Sequence, residues 1–288
     1  MKVFFYRFIS SIGLIGLCLW MLSSKTKSSM VIFFLFSLII SALIVKEFHF
    51  MFRNELSTLG KVRILPLFCS ILPVIGIMTS FIMSFNFCEG LFLVLLIILI
   101  FFSLQVIFFS GDSKTFHLIM KSYAPVIFFV IPISHIMGLY IWDWRSSSLF
   151  ALFLITVTKS GDIGAYVVGT LTASFMKNGN HKMIPKISPK KSWEGFFAGL
   201  VSSVLVGIFA SSFLPSDMGI RWGIFFGFVL YFGGVAGDLI ESVVKRSASV
   251  KDSGCGIPGI GGILDLVDSL VINAPLFYYV INFKEKFL

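Results

Sequence analysis

Residues 88–110 read CEGLFLVLLIILIFFSLQVIFFS, with Glu89 the single charged side chain among them. The run is continuous rather than alternating, so neither a water-facing helix stripe nor the dyad pattern of a β-barrel fits it. Its length suits the roughly 17–25 apolar residues that a helix needs to cross a bilayer. Similar runs recur outward in both directions. The pattern predicts spans at about 8–23, 30–46, 64–84, 88–110, 123–142, 148–170, 196–214, 221–244 and 262–282. Composition agrees, with 57% hydrophobic and 13% charged residues against roughly 25% charged in a soluble domain. The fold class is all-α: a polytopic integral membrane protein of about nine transmembrane helices. The opening MKVFFYRFISSIGLIGLCLWML reads as an uncleaved first span, because SSKTKSS follows it rather than a small-x-small cleavage site.

The net charge of +9 describes topology rather than a nucleic-acid partner, since the basic residues are spread over loops. With nine spans, seventeen Lys and Arg, with Lys46 and Lys159 counted to that side, fall with the N-terminus and the loops around 47–63, 111–122, 171–195 and 245–261, and six fall on the other side. The richer side is expected to be cytoplasmic. Cys18, Cys69, Cys88 and Cys255 show no CxxC spacing, and His49, His117, His135 and His181 are scattered. Neither a disulfide framework nor a zinc site is supported.

Carboxylates divide the chain. Glu47, Glu55, Glu89, Asp112 and Asp143 lie in or beside predicted loops, whereas Asp162, Asp238, Glu241, Asp265 and Asp268 lie in or at the edge of predicted spans. A carboxylate at membrane depth is costly and normally faces a cation or a wet cavity. Residues 1–145 therefore read as a transmembrane scaffold and 146–288 as the working region. The pairs Gly195/Gly199, Gly223/Gly227 and Gly233/Gly237 read as close helix contacts.

Three stretches carry candidate chemistry. In TKSGDIGAYVVG (158–169), Asp162 sits between two glycines, either opening a cavity or merely bonding a helix end. In HKMIPKISPKKSWEG (181–195), Lys182, Lys186, Lys190 and Lys191 crowd a proline-containing loop, with Ser192 as N-cap and Trp193 as interfacial anchor of the next span. The third, GDLIESVVKRSASVKDSGCGIPGIGGILDLVDS (237–269), repeats a three-residue carboxylate spacing, Asp238/Glu241 and Asp265/Asp268, which on a helix shares one face. Between the pairs come Lys245, Arg246, Lys251 and a glycine-rich loop. Either these groups neutralise one another as ion pairs, or Asp238, Asp265 and Asp268 hold a divalent cation while the basic residues grip phosphate. Gly254, Gly256, Gly259, Gly261 and Gly262 would let backbone approach a phosphate.

In order, Ser242-Val-Val-Lys245-Arg246, Lys251-Asp252, Pro258-Gly259-Ile260-Gly261-Gly262 and Asp265-Leu266-Val267-Asp268 resemble the signature of the bacterial phosphatidate cytidylyltransferases (CDP-diacylglycerol synthases). SPKKSWEG and GDIGAY match as well, so the resemblance spans about 158–275; the N-terminal half is matched only in being hydrophobic. The chain departs at Ile260, where the family has His, and at Leu266, where it has Arg. An aliphatic side chain cannot carry a proton or grip a phosphate.

The resemblance implies an Mg-dependent nucleotidyltransferase in phospholipid biosynthesis, joining CTP (or dCTP) to phosphatidic acid to give CDP-diacylglycerol and diphosphate. It assigns Asp265, Asp238 and Lys245 to catalysis and Asp238, Asp265 and Asp268 to Mg²⁺, with room for a second, monovalent cation such as K⁺. Substrate binding falls to Arg246, Lys251, Lys190, Lys191, Ser188 and Asp252. The expected setting is the bacterial cytoplasmic membrane, with the site facing the cytoplasm and the family suggesting a homodimer. A nucleotidyltransferase on another lipid phosphate and an inactive paralogue are the alternatives at this stage. A transporter would predict an inverted repeat, and the two halves are unlike.

Overall fold

The computed structural model describes residues 26–83, 87–141, 148–176, 179–214, 218–254 and 262–287. The expected first span at about 8–23 lies outside them, as do Lys177 and Ile260. Among the described residues, eight helical segments are long and apolar enough to cross a membrane, and each coincides with one of the other eight expected spans. The protein is all-α and polytopic, and it divides into two compact units, 1–144 with 252–266 and 145–251 with 267–288.

The first unit holds α1 (Lys27–Met51), α2 (Ile64–Cys69), α3 (Leu72–Ile82), α4 (Phe87–Phe109), α5 (Ser113–Pro125) and α6 (Ile131–Ile141). Thr26 starts α1 with a capping box, accepting from the Ser29 N–H while the Ser29 hydroxyl accepts from the Thr26 N–H. Helix α5 begins well before the apolar run that betrays it, because Asp112 caps it by accepting from the Thr115 N–H at 3.2 Å. That bonding with Thr115 holds the Asp112 carboxyl below its ordinary range. Between α5 and α6 the backbone makes a π turn over Val126–Val130. Pro125 and Pro132 bracket it, and prolines supply no N–H to a regular ladder. The buried packing includes Phe33 against Tyr140, with ring centroids 4.5 Å apart, and the His49 ring bonded to the Ser122 carbonyl at 2.9 Å. The unit also takes in the short helix α10 (Ile263–Val267) up to Leu266.

The second unit is built on α7 (Ser148–Phe175), the hairpin β1 (Lys182–Ile184) and β2 (Ser188–Ser192), α8 (Trp193–Ser211), α9 (Ile220–Ser247) and α11 (Leu270–Phe287). The basic segment expected as a loop is thus an antiparallel hairpin, with Lys182 opposite Ser192 and Ile184 opposite Ser188. Ser192 closes it and caps α8 as the sequence predicts, its hydroxyl accepting from the Gly195 N–H at 3.2 Å. The glycine pairs serve close packing. A Cβ on Gly199 would lie 2.7 Å from the Gly161 carbonyl oxygen, and one on Gly207 2.5 Å from that of Gly223. Such contacts let polar groups bridge helices inside the apolar layer. The Tyr231 hydroxyl donates to the Phe196 carbonyl at 2.5 Å. Asn273, fully buried, donates to Thr158 at 2.9 Å and to the Leu230 carbonyl at 2.7 Å, tying α11 to α7 and α9. Phe153, Phe226 and Phe277 fill the space between these helices, with the Phe226 and Phe277 centroids 4.6 Å apart.

Candidate metal and phosphate site

Asp238 and Glu241 lie on the unbroken helix α9, so their three-residue spacing does place them on one face. Asp268 joins them, and the three carboxylates offer ligand oxygens all within 4.8 Å of one another. Among the described residues this is the group that could hold a metal ion. An all-carboxylate donor set suits a hard cation such as Mg²⁺.

A lysine from a different element meets each carboxylate. Lys191 on β2 reaches Asp238 at 2.8 Å, Lys245 on α9 reaches Glu241 at 2.5 Å, and Lys159 on α7 reaches Asp268 at 3.8 Å. Lys159 also donates to the Ser269 hydroxyl at 2.7 Å and to Asp162 at 3.3 Å, and Ser269 passes its own proton toward Asp162 at 2.9 Å. Four carboxylates thus face three lysines, one acidic group more than basic ones. Glu241 is 1% exposed, and a carboxylate so buried needs its charge compensated. The Ser242 hydroxyl completes this face by donating to Asp238 at 3.3 Å.

The second pair lies across a helix break. Helix α10 ends at Val267 and α11 starts at Leu270, leaving Asp268 and Ser269 in the turn between them. Asp268 accepts from the Ser269 N–H at 2.6 Å, a local bond that competes with the helical ladder. Asp265 and Asp268 therefore do not share a helix face. Asp265 accepts from the Ser253 hydroxyl at 2.9 Å, the Ser253 N–H at 3.3 Å and the Gly262 N–H at 3.2 Å. It fastens the start of α10 to the far end of the glycine-rich segment.

The other expected binding residues are spread around the hairpin and the end of α9. Lys190 is exposed on β2 while its neighbour Lys191 turns to Asp238, as strand alternation requires. Ser188 sits half-buried at the start of the same strand. Arg246 donates to the carbonyls of Ile187 and Val250, at 3.4 and 3.1 Å, bracing the hairpin turn against the end of α9. Lys251 and Asp252 are exposed. Leu266 is partly exposed.

A model of the cytidylyltransferase family matches residues 5–284. The chain belongs to this family. Relatives carry the likeness in part. Over 139 residues it is 41% identical to the phosphatidate cytidylyltransferase of Staphylococcus epidermidis, covering 48% of this chain and 51% of the relative. Over 122 residues it is 44% identical to phosphatidate cytidylyltransferase 4, chloroplastic, of Arabidopsis thaliana, covering 42% and 31%. The uncharacterized protein YnbB of Escherichia coli is 32% identical over 177 residues, 60% of this chain and 57% of that one. The chain thus spans about a third to just over half of the length of these relatives.

Sequence reasoning did not assign Glu241 to the metal or see Lys159 as more than a topological charge. Both had a signal. Asp238-x-x-Glu241 and Lys159-x-x-Asp162 are three-residue spacings inside long helices, which bring side chains together wherever the helix is unbroken.

Proposed function

We propose that the chain is a phosphatidate cytidylyltransferase, converting CTP and phosphatidic acid to CDP-diacylglycerol and diphosphate in phospholipid biosynthesis. The observation that carries this reading is the Asp238/Glu241/Asp268 group with a lysine on each carboxylate, in a member of the cytidylyltransferase family. The names of the Staphylococcus and Arabidopsis relatives support the lipid substrate.

Phosphatidate is an ionised phosphate monoester, so one of its oxygens attacks the α-phosphorus of CTP without a strong general base. A new P–O bond forms, the bond to the β-phosphate breaks, and diphosphate leaves. Positioning and charge stabilisation supply most of the rate. Asp238, Glu241 and Asp268 would hold Mg²⁺, which when bound supplies positive charge to phosphate oxygens. Lys191 and Lys245 then exchange carboxylate partners for phosphate oxygens, so the ion pairs seen here store the cations that substrate requires. Arg246, Lys190 and Lys251 extend the basic surface for triphosphate or headgroup, and Ser188 and Asp252 are the other residues assigned to substrate. In this reading Asp265, expected as a ligand, orders the loop before α10. The hairpin and the end of α9 face the cytoplasm, where CTP is found, while the acyl chains of substrate and product stay in the bilayer. The same site accommodates dCTP in place of CTP and a K⁺ beside Mg²⁺, and the enzyme works as a homodimer in the bacterial cytoplasmic membrane.

The test uses purified protein in detergent with radiolabelled CTP, phosphatidic acid and Mg²⁺. CMP label should pass into the lipid extract, and Asp268→Asn should cut its initial rate by on the order of 10³. A well-folded preparation that labels no lipid would sink the proposal.

A further inference from the structure

Glu47 belongs to the part of the chain that sequence reasoning treats as scaffold, at the edge of a loop. In the structure α1 continues to Met51, and Glu47 is a buried helical residue, 8% exposed. One of its carboxylate oxygens, Oε2, accepts from the Leu264 N–H at 3.1 Å and faces the Ser253 hydroxyl at 3.4 Å. Ser253 directs that hydroxyl to Asp265 at 2.9 Å. Two glycines pack against the same carboxylate. A Cβ on Gly254 would lie 3.2 Å from Glu47 Oε1, and one on Gly262 2.7 Å from Oε2. The expected use of these glycines is close approach of backbone to a phosphate; at positions 254 and 262 the group that approaches is the Glu47 carboxylate.

We infer that Glu47 is a positioning residue: it pins both ends of the glycine-rich segment, at Ser253–Gly254 and at Gly262–Leu264, and so fixes Asp265. A buried carboxylate is costly to keep unless a donor holds it; here the Leu264 N–H donates to it on one side of the segment, and Ser253 and Gly254 pack against it on the other. The Glu47 carboxylate therefore holds Ser253–Gly254 and Gly262–Leu264 against one side chain. Its effect on turnover rests on the function proposed above; its effect on the loop does not.

The experiment follows hydrogen exchange by mass spectrometry in the full-length protein in detergent, comparing wild type, Glu47→Ala and Glu47→Gln. Peptides covering 262–266 should exchange at least about tenfold faster in Glu47→Ala, because the Leu264 N–H loses its acceptor. Peptides from α8 should not change. Glu47→Gln keeps a carbonyl acceptor and should restore protection to within about threefold of wild type. Equal exchange in wild type and Glu47→Ala overturns the inference. So does a Glu47→Gln variant as unprotected as Glu47→Ala, since charge rather than anchoring would then be at stake. Where wild type labels lipid, Glu47→Ala and Ser253→Ala should be non-additive in turnover, the double variant losing no more than the worse single one. Additive losses overturn the positioning role, whereas faster exchange in a wild type that labels no lipid would fault only the proposed reaction.

Discussion

Asp265 and Asp268 are three residues apart in one short stretch, yet they live in different chemistry. Asp265 is held by a hydroxyl and two backbone N–H groups, whereas Asp268 stands with two other carboxylates and a lysine. The first arrangement brings neutral donors from Ser253 and Gly262 to a carboxylate. The second gathers carboxylates and sets lysine ammonium groups against them, and in the proposed function a metal and a phosphate take those partners. What separates them is the break in the helix at Asp268. Without that break both would face one way.

The sharpest way to break the comparison is to neutralise each in turn. Asp268→Asn removes a ligand oxygen's charge and should cost on the order of 10³ in turnover, about 4 kcal/mol of transition-state stabilisation. Asp265→Asn keeps an acceptor for Ser253 and Gly262 and should cost at least tenfold less. Initial rates of lipid labelling decide it, and equal losses would return Asp265 to the ligand set.

A second contrast separates the two units. Lys245 and Glu241 form an ion pair with side chains 12% and 1% exposed; Lys121 and Glu55 form one at 2.7 Å with side chains 31% and 53% exposed. Lys245→Met strips the nearest cation from a buried carboxylate and should destabilise by about 3 kcal/mol. Lys121→Met should cost less than about 1 kcal/mol. Thermal unfolding in detergent compares them directly. Adding Glu241→Gln to Lys245→Met should recover most of the loss, because the charge left behind is then gone.

Cation binding sharpens the first comparison further. Mg²⁺ at a hundred times its dissociation constant should stabilise the protein by about 2.7 kcal/mol. Asp238→Asn, Glu241→Gln and Asp268→Asn should each abolish that gain, read as the Mg²⁺-dependent shift in Tm. Asp265→Asn should keep it. Retention of the full shift in all three cluster variants would remove the metal from this site.

The apolar runs made the architecture legible, because a bilayer-crossing helix announces itself in composition. Ser192 was legible for a related reason: a cap needs one short polar side chain at one position. Less was visible where polar bonding decides the outcome. Helix α5 starts at Ser113 through a capping aspartate and a polar first half, with no hydropathy signal. The turn at Asp268 and Ser269 contains neither Gly nor Pro, and the local backbone bonding of Asp and Ser that makes it is a weaker signal in a sequence. SPKKS looked like a loop, since only pairing with Lys182–Ile184 makes it a strand. Glu47 shows the widest gap. Its partners Ser253 and Leu264 lie more than two hundred residues on, and one sequence carries no trace of such a contact.

The smallest effect expected within the site concerns Ser269, the residue that follows Asp268 in the turn. It is fully buried, accepts from Lys159 and donates to Asp162. Lys159 and Asp162 also meet each other directly, at 3.3 Å. Ser269→Ala therefore deletes a bridge between two groups that keep a partner, and the cost should be that of one hydrogen bond, about 1 kcal/mol. Turnover should fall by roughly fivefold, the same energy expressed as a rate, because Lys159 would hold Asp268 less firmly. Lys159→Met removes the lysine itself and should cost more in both readouts. If Ser269→Ala matched Lys159→Met, the hydroxyl would be orienting Asp268 rather than bridging its neighbours. The Ser269 N–H to Asp268 bond survives either substitution, so the difference between the variants isolates the side chains.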